Sequence, residues 1–199
     1  MNSDIAVKQL KKLKKLAPED LRLAAEWKKP WQVLISTILS AQSRDEHTIK
    51  VCEILFKKYN SPEKLGNASL RDIKRIIKSM NYYKTKAKHI KKTAKSISKG
   101  IPDNINDLLE LPGVGRKVAN VYLAEAHKKP AIGVDTHVSF VSQYLKWSKN
   151  KNPHKIEKDL ERLFPKGYWN SVNYIVVRFG RSYNKKKQID ILNKIKFIN

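Results

Sequence analysis

The chain has 199 residues with 42 Lys+Arg against 18 Asp+Glu, a formal net charge of +24, and a hydrophobic fraction of 41%. That is enough apolar material for one large domain or two small ones sharing a core, and it excludes wholesale disorder. No apolar run approaches the roughly 18 residues that span a bilayer, and no secretory leader opens the chain, so a soluble, intracellular protein without a membrane partner is expected.

The single cysteine, Cys52, can make no internal disulfide. His47, His89, His127, His137 and His154 form no Cys/His cluster with zinc-ligand spacing, so neither a structural metal nor a cysteine-held iron–sulfur cluster is expected. The positive surplus attracts phosphate backbones, which makes nucleic acid the expected partner, a membrane surface being the second choice that the charge alone would allow. Lys far outnumbers Arg and travels with many Ile and Asn, a mixture that genome-wide composition bias also produces.

Nearly every segment carries the 3.6-residue period, which predicts an all-α protein of about ten helices. Lys8, Lys11, Lys12, Lys14 and Lys15 cluster on a first amphipathic helix with Leu10, Leu13 and Leu16. Leu34, Ile35 and Ile38 mark a second, and Val51, Leu55 and Tyr59 a third. Ser43 with Glu46 and Ser69 with Asp72 read as capping-box starts, and Pro62 and Pro153 sit where a first helical turn tolerates proline. Ile73, Ile76, Ile77 and Met80 continue the period. Lys84, Lys86, Lys88, Lys91, Lys92, Lys95 and Lys99 then crowd a basic amphipathic helix whose stripe of Ile90, Ala94 and Ile97 suits packing on a protein core.

The stretch LLELPGVGRKVANVYLAEA at 108–126 is the most informative. Pro112 ends one helix, Gly113 and Gly115 permit a tight turn with exposed backbone, and a second helix runs to about Ala126. The result is a helix-hairpin-helix at about 105–126, whose glycines leave N–H groups open to a phosphate oxygen at a helix N-terminus. A plain connector is the alternative for that turn. Lys117 falls in the first turn of the second helix, beside Arg116 and near the positive end of the dipole, a setting that disfavours the ammonium. An amine so placed is either a nucleophile able to form a Schiff base with a sugar C1′ or a solvated phosphate-binding lysine.

Eighteen residues on, after the extended run Pro130–Val134, comes Asp135, which local sequence makes the N-cap of the following helix. Ile156, Leu160, Leu163 and Phe164, then Trp169, Val172, Val176 and Phe179, then Ile189, Leu192 and Ile195 mark the remaining helices. No internal repeat and no flexible linker is visible, so any division is into two lobes of one unit.

Taken together, LPGVGRKVANVYL at 111–123 and VDTHV at 134–138 resemble the signature of the endonuclease III family of DNA glycosylases and AP lyases, within the helix-hairpin-helix glycosylase superfamily. LISTILSAQSRD at 34–45 is similar to the family's first DNA-contacting loop and MNYYKTKA at 80–87 to its second.

The resemblance implies a two-lobed helical fold with the active site in the cleft between lobes. It assigns residues 25–132 to the hairpin-bearing lobe and residues 1–24 plus 133–199 to a second lobe formed by both termini. It makes Lys117 and Asp135 the catalytic pair, Gln42 the residue that fills the space left by a flipped nucleotide, and Tyr82 the wedge. Gly113, Gly115 and Arg116 become contacts to double-stranded DNA carrying a damaged base or abasic site. The implied activity is base excision, with oxidised pyrimidines as the family substrate, by a DNA-associated monomer. A monofunctional glycosylase for alkylated or mismatched bases and a non-catalytic DNA-binding hairpin are the competing readings.

Two departures from the family pattern stand out. Members commonly end with four cysteines holding a [4Fe–4S] cluster, whereas here Gly180 and Arg181 are followed by Ser182, Tyr183, Asn184 and Lys185–Lys187. The resemblance therefore implies a member without the cluster and without any required cofactor, a monovalent cation at the hairpin carbonyls being allowed but not demanded. Phe140 and Tyr144 stand where the family usually carries arginine.

Overall fold

Helices form wherever the apolar period runs uninterrupted. In the computed structural model, which describes residues 2–197, there are twelve α-helices, two 3₁₀ turns and no strand among the described residues. In chain order the helices are α1 (Ser3–Leu16), α2 (Pro30–Ser40), α3 (Asp45–Lys58), α4 (Pro62–Asn67), α5 (Leu70–Ile76), α6 (Tyr83–Ser96), α7 (Ile105–Leu109), α8 (Arg116–His127), α9 (Thr136–Tyr144), α10 (Pro153–Leu163), α11 (Trp169–Ser182) and α12 (Lys185–Lys196). None is long and apolar enough to cross a membrane. Pro30, Pro62 and Pro153 each open a helix, where the missing N–H costs nothing.

The chain divides into two units. Arg22–His127 forms one and Met1–Leu21 with Lys128–Asn199 the other. The limits expected at 24/25 and 132/133 thus move to 21/22 and 127/128, while the outermost limits, 1 and 199, lie outside the described residues. Local bonding explains the shift. The Arg22 guanidinium pairs with Glu53 at 2.9 Å and lies 4.5 Å over the Trp27 ring, which in turn meets Phe56 edge-on, so residues 22–27 go with α3. Downstream, the Ala131 N–H donates to Asn170 and the Gly133 carbonyl accepts from Asn173, so 131–133 goes with α11.

The Arg22–His127 unit is built around α2, which carries no charged residue and buries Trp31 and every residue from Val33 to Leu39. Leu55 of α3, Ile73 of α5, Ile90 of α6, Leu108 of α7 and Tyr122 of α8 are fully buried in the same unit. Each such side chain contributes about 1.5–3 kcal/mol relative to exposure.

Two members of the expected basic face on α6 turn inward. Lys86 is only 6% exposed, and its ammonium donates to the Leu39 carbonyl at 2.8 Å, the Ala41 carbonyl at 2.6 Å and Ser43 Oγ at 3.2 Å. It thereby satisfies carbonyls that the C-terminus of α2 leaves without intrahelical donors. Burial pushes this lysine below its ordinary range. Lys91 does the same for α4 through the Gly66 and Ala68 carbonyls. The bond to Lys86 also displaces the capping box expected at Ser43. The N-cap of α3 is Arg44, with no side-chain cap, whereas Ser69 does cap α5 by accepting from the Asp72 N–H.

In the other unit, Leu10 and Leu13 of α1, Val138 and Val141 of α9, Ile156 and Leu160 of α10, Val172, Val176 and Phe179 of α11, and Leu192 and Ile195 of α12 form one core. Trp147 packs edge-on against Phe164, with ring centroids 5.0 Å apart, and its Nε1–H donates to Gln9 Oε1 at 2.7 Å. Gln9 Nε2 in turn donates to the Ile195 carbonyl, so one buried amide joins α1, α12 and the chain after α9.

Two stability outcomes follow. Lys86→Met keeps the side-chain length and leaves the α2 carbonyls without a donor, and is expected to lower unfolding free energy by about 1–3 kcal/mol in a urea titration. Gln9→Leu orphans the buried Trp147 N–H and is expected to cost about 1–3 kcal/mol by the same measurement.

Candidate functional site

The predicted hairpin is present. Asn104 caps α7 by accepting from the Asp107 N–H at 3.0 Å. The connecting turn is closed by Leu111 N–H to the Leu108 carbonyl at 3.2 Å and Val114 N–H to the Leu111 carbonyl at 3.0 Å. Val114 is buried and anchors the turn, while Gly113 and Gly115 on either side of it are exposed.

The two glycines differ in what they do. Gly113 has φ +82°, and a Cβ there would stand 2.8 Å from His89 Nδ1, so both backbone conformation and space demand glycine. Gly115 lies in the ordinary φ region with nothing within 4 Å of an added Cβ. Its open flank leads directly to the first turn of α8, whose amides have no intrahelical acceptors and face the positive end of the dipole. A phosphate oxygen can approach there without a side chain in the way.

Arg116 and Lys117 follow at once, both half-buried in that first turn. The turn is held from behind by α6. Thr93 Oγ1 donates to the Pro112 carbonyl at 2.7 Å, and the His89 ring lies against Gly113.

Gln42 and Tyr82, distant in sequence, come from neighbouring loops of the same unit. Asn81 Nδ2 donates to the Gln42 carbonyl at 2.8 Å, tying the loop after α2 to the loop before α6. Gln42 (φ 54°) and Tyr82 (φ 56°) both adopt the left-handed conformation, rare for residues with a side chain and typical of sites where position outweighs local comfort. Tyr82 is 67% exposed at the N-cap of α6, an aromatic ring with no core to enter. Because α6 carries Tyr82 at its start and His89 and Thr93 further along, one rigid rod sets the spacing between the Tyr82 ring and the hairpin at roughly 10–16 Å along its axis.

Sequence reasoning singled out Gln42 and Tyr82 but missed Asn81, Lys86, His89 and Thr93, which hold them and the hairpin. Lys86 was hidden among the other lysines of its segment.

Asp135 belongs to the other unit. It is the N-cap of α9, Oδ1 accepting from the Val138 N–H at 2.8 Å, and it is half-buried. Lys117 and Asp135 therefore sit on different units.

The residues after Arg181 do not fit an iron–sulfur cluster. Such clusters require thiolate ligands. Cys52 is the only cysteine, buried in α3 of the Arg22–His127 unit with its thiol pushed far up by desolvation, and no group of three or more His, Cys, Asp or Glu residues arranged to hold a metal occurs among the described residues. The chain after Arg181 continues instead into α12. Asn184 caps it, Gln188 Nε2 donates to the Gly180 and Tyr183 carbonyls, and Tyr144 Oη donates to Asn193 Oδ1 at 2.6 Å. The Lys185 ammonium lies over the Phe140 ring. Phe140 and Tyr144 of α9 thus each meet a residue of the C-terminal helix.

Residues 35–166 match the model of the HhH-GPD superfamily of base excision DNA repair proteins. Endonuclease III of Thermotoga maritima is 41% identical over 156 residues, covering 76% of this chain and 73% of that protein. A non-covalent endonuclease III–DNA complex superposes with a TM-score of 0.84 at 32% identity, over 92% of this chain and 87% of the other. A trapped covalent endonuclease III–DNA intermediate does so with the same TM-score and identity, over 92% and 88%. With the glycine-turn hairpin, the Gln42–Asn81 bridge and the capping Asp135 in place, the chain belongs to the endonuclease III family of the HhH-GPD superfamily.

Proposed function

We propose that the protein is a bifunctional base-excision enzyme, a DNA glycosylase with AP lyase activity, acting on damaged bases and abasic sites in double-stranded DNA. The observation that carries this reading is Lys117 in the first turn of α8, immediately after the exposed Gly113–Gly115 turn, where an amine and a phosphate-accepting backbone are offered together. Family membership favours oxidised pyrimidines as substrates.

A damaged base inside a duplex is out of reach of Lys117, so the nucleotide must leave the stack at a cost of a few kcal/mol. Tyr82 offsets part of that cost by stacking on the bases left behind, and Gln42 fills the vacated space. The hairpin amides hold phosphates near the lesion and fix the backbone while the sugar turns. The neutral Lys117 amine attacks C1′ as the glycosidic bond breaks and the base departs with the bonding electrons. Asp135, ionised, stabilises the positive charge that develops on the sugar and takes part in removing the amine proton. The C1′–O4′ bond then breaks, O4′ taking up a proton as the sugar ring opens, and the Schiff base left at C1′ acidifies the C2′ proton. Its loss expels the 3′ phosphate by β-elimination, and hydrolysis of the imine frees Lys117.

None of these steps calls on redox or metal chemistry, and the chain, with Cys52 as its single cysteine, has no set of thiolates to hold an iron–sulfur cluster. A monofunctional glycosylase would need Lys117 for no step. A purely DNA-binding hairpin would have no use for Asp135.

Borohydride trapping on a duplex with one abasic site tests the proposal. The wild type is expected to give a covalent protein–DNA band and Lys117→Gln none, with affinity for the same duplex within about threefold, because one charge is a small part of a many-phosphate contact. Loss of affinity together with trapping would make Lys117 a binding residue. Asp135→Asn is expected to slow trapping on the order of 100-fold or more while leaving the thermal midpoint nearly unchanged, because an asparagine Oδ1 can still accept from the Val138 N–H. Tyr82→Ala is expected to slow excision of a damaged base by about tenfold while changing strand cleavage at a preformed abasic site less, since only the former requires a base to be extruded.

A further inference from the structure

Between Lys128 and Asp135 the chain is neither helix nor strand, so its backbone polar groups need partners from elsewhere. Two of them are met by one face of α11. The Asn170 side-chain carbonyl accepts from the Ala131 N–H at 3.0 Å, and Asn173 Nδ2 donates to the Gly133 carbonyl at 2.6 Å. Ala131 and Gly133 are buried, and both asparagines are half-buried.

Seven residues past Asn173, on the same face of α11, Gly180 meets the ring of His137, two residues beyond Asp135. A Cβ on Gly180 would lie 2.1 Å from Nδ1 of His137 and 2.8 Å from its Cγ, so only a glycine lets that ring seat. Gly180 has no positive φ, so its identity is set by this close approach and not by backbone conformation. The spacing 170, 173, 180 falls within one side of a 3.6-residue helix.

Asp135 is thus bracketed. Two residues before it the backbone is bonded to Asn173, and two residues after it the His137 ring is lodged against Gly180. Its own Oδ1 is committed to the Val138 N–H.

We infer that Asn173, with Asn170 and Gly180, is a positioning residue for Asp135, α11 acting as a template that sets where the carboxylate is presented. None of the three touches DNA in this account; they act through the backbone and through His137. The inference rests on the catalytic assignment of Asp135 proposed above. Its physical basis is the steepness with which an electrostatic stabiliser loses effect when displaced, since a shift near 1 Å can cost on the order of 100-fold in rate.

The test is a double-mutant cycle with Asn173→Ala and Asp135→Asn in the full-length protein. The readouts are the single-turnover rate of borohydride trapping on an abasic duplex, affinity for a duplex carrying a tetrahydrofuran abasic analogue, and the thermal midpoint. Asn173→Ala is expected to slow trapping about tenfold in the wild-type background and less than about twofold in the Asp135→Asn background, with affinity unchanged within about twofold. Asn173→Gln, which retains a donor amide, is expected to recover part of the rate. Gly180→Ala, if it folds, should follow the same pattern.

Equal slowing in both backgrounds would mean that Asn173 supports the unit in general, and the inference would fail with the role of Asp135 intact. No slowing in the wild-type background would overturn it as well. A wild-type trapping rate for Asp135→Asn alone would instead remove the catalytic assignment on which the inference rests.

Discussion

The Lys86 ammonium is the constraint on which the Arg22–His127 unit depends. A charge taken almost wholly out of water is tolerated only where acceptors converge on it, and here they are two carbonyls at the end of α2 and the Ser43 hydroxyl. That convergence fixes the end of α2 against the start of α6. With both ends fixed, Gln42 and Tyr82 can be held in left-handed backbone conformations that free loops would abandon, and the Asn81 bridge can form between them. Further along the same helix, His89 and Thr93 hold the hairpin turn by contact and by hydrogen bond. One helix therefore carries the exposed Tyr82 ring at its start, buries the internal cation and supports the glycine turn of the hairpin.

Seen this way, the large positive charge of the chain has two uses. Most of the lysines of the 84–99 segment are exposed and contribute to a field that draws in a polyanion. Lys86 and Lys91 are structural, each closing the C-terminus of an earlier helix. A count of charges could not separate these uses, because the distinction depends on which face of α6 meets α2 and α4.

Much of the fold was legible because helical periodicity is a local property. The segments with Leu34 and Ile35, with Ile90 and Ala94, and with Val172 and Phe179 all became helices with those residues buried. The hairpin was legible because Pro112, Gly113 and Gly115 constrain backbone by their own covalent structure, and Asp135 capped its helix as its position three residues before Val138 requires. What was not legible depends on partners far along the chain. Ser43 has the sequence of a cap yet is taken by Lys86, 43 residues away. The limits of the units moved because Glu53 and Asn173, remote in sequence, hold the residues at the boundaries. Gly180 reads as an unremarkable residue of a helix until the His137 ring is found against it. The contacts of Phe140 with Lys185 and of Tyr144 with Asn193 join residues more than 40 positions apart and left no local trace.

The order of the units along the chain has a consequence for how the molecule is made. Arg22–His127 is continuous, so all of its partners exist once that stretch has left the ribosome. The other unit is not. Gln9 of α1 finds Trp147 across 138 residues and Ile195 across 186. Until α12 is synthesised, the buried face of α1 with Ala6, Leu10 and Leu13 has no complete core to enter, and contacts of such sequence separation form slowly. Synthesis thus passes through an interval in which the hairpin unit is ready while the unit bearing Asp135 is open. In that interval the Gly133 carbonyl and the His137 ring, on either side of Asp135, still await Asn173 and Gly180.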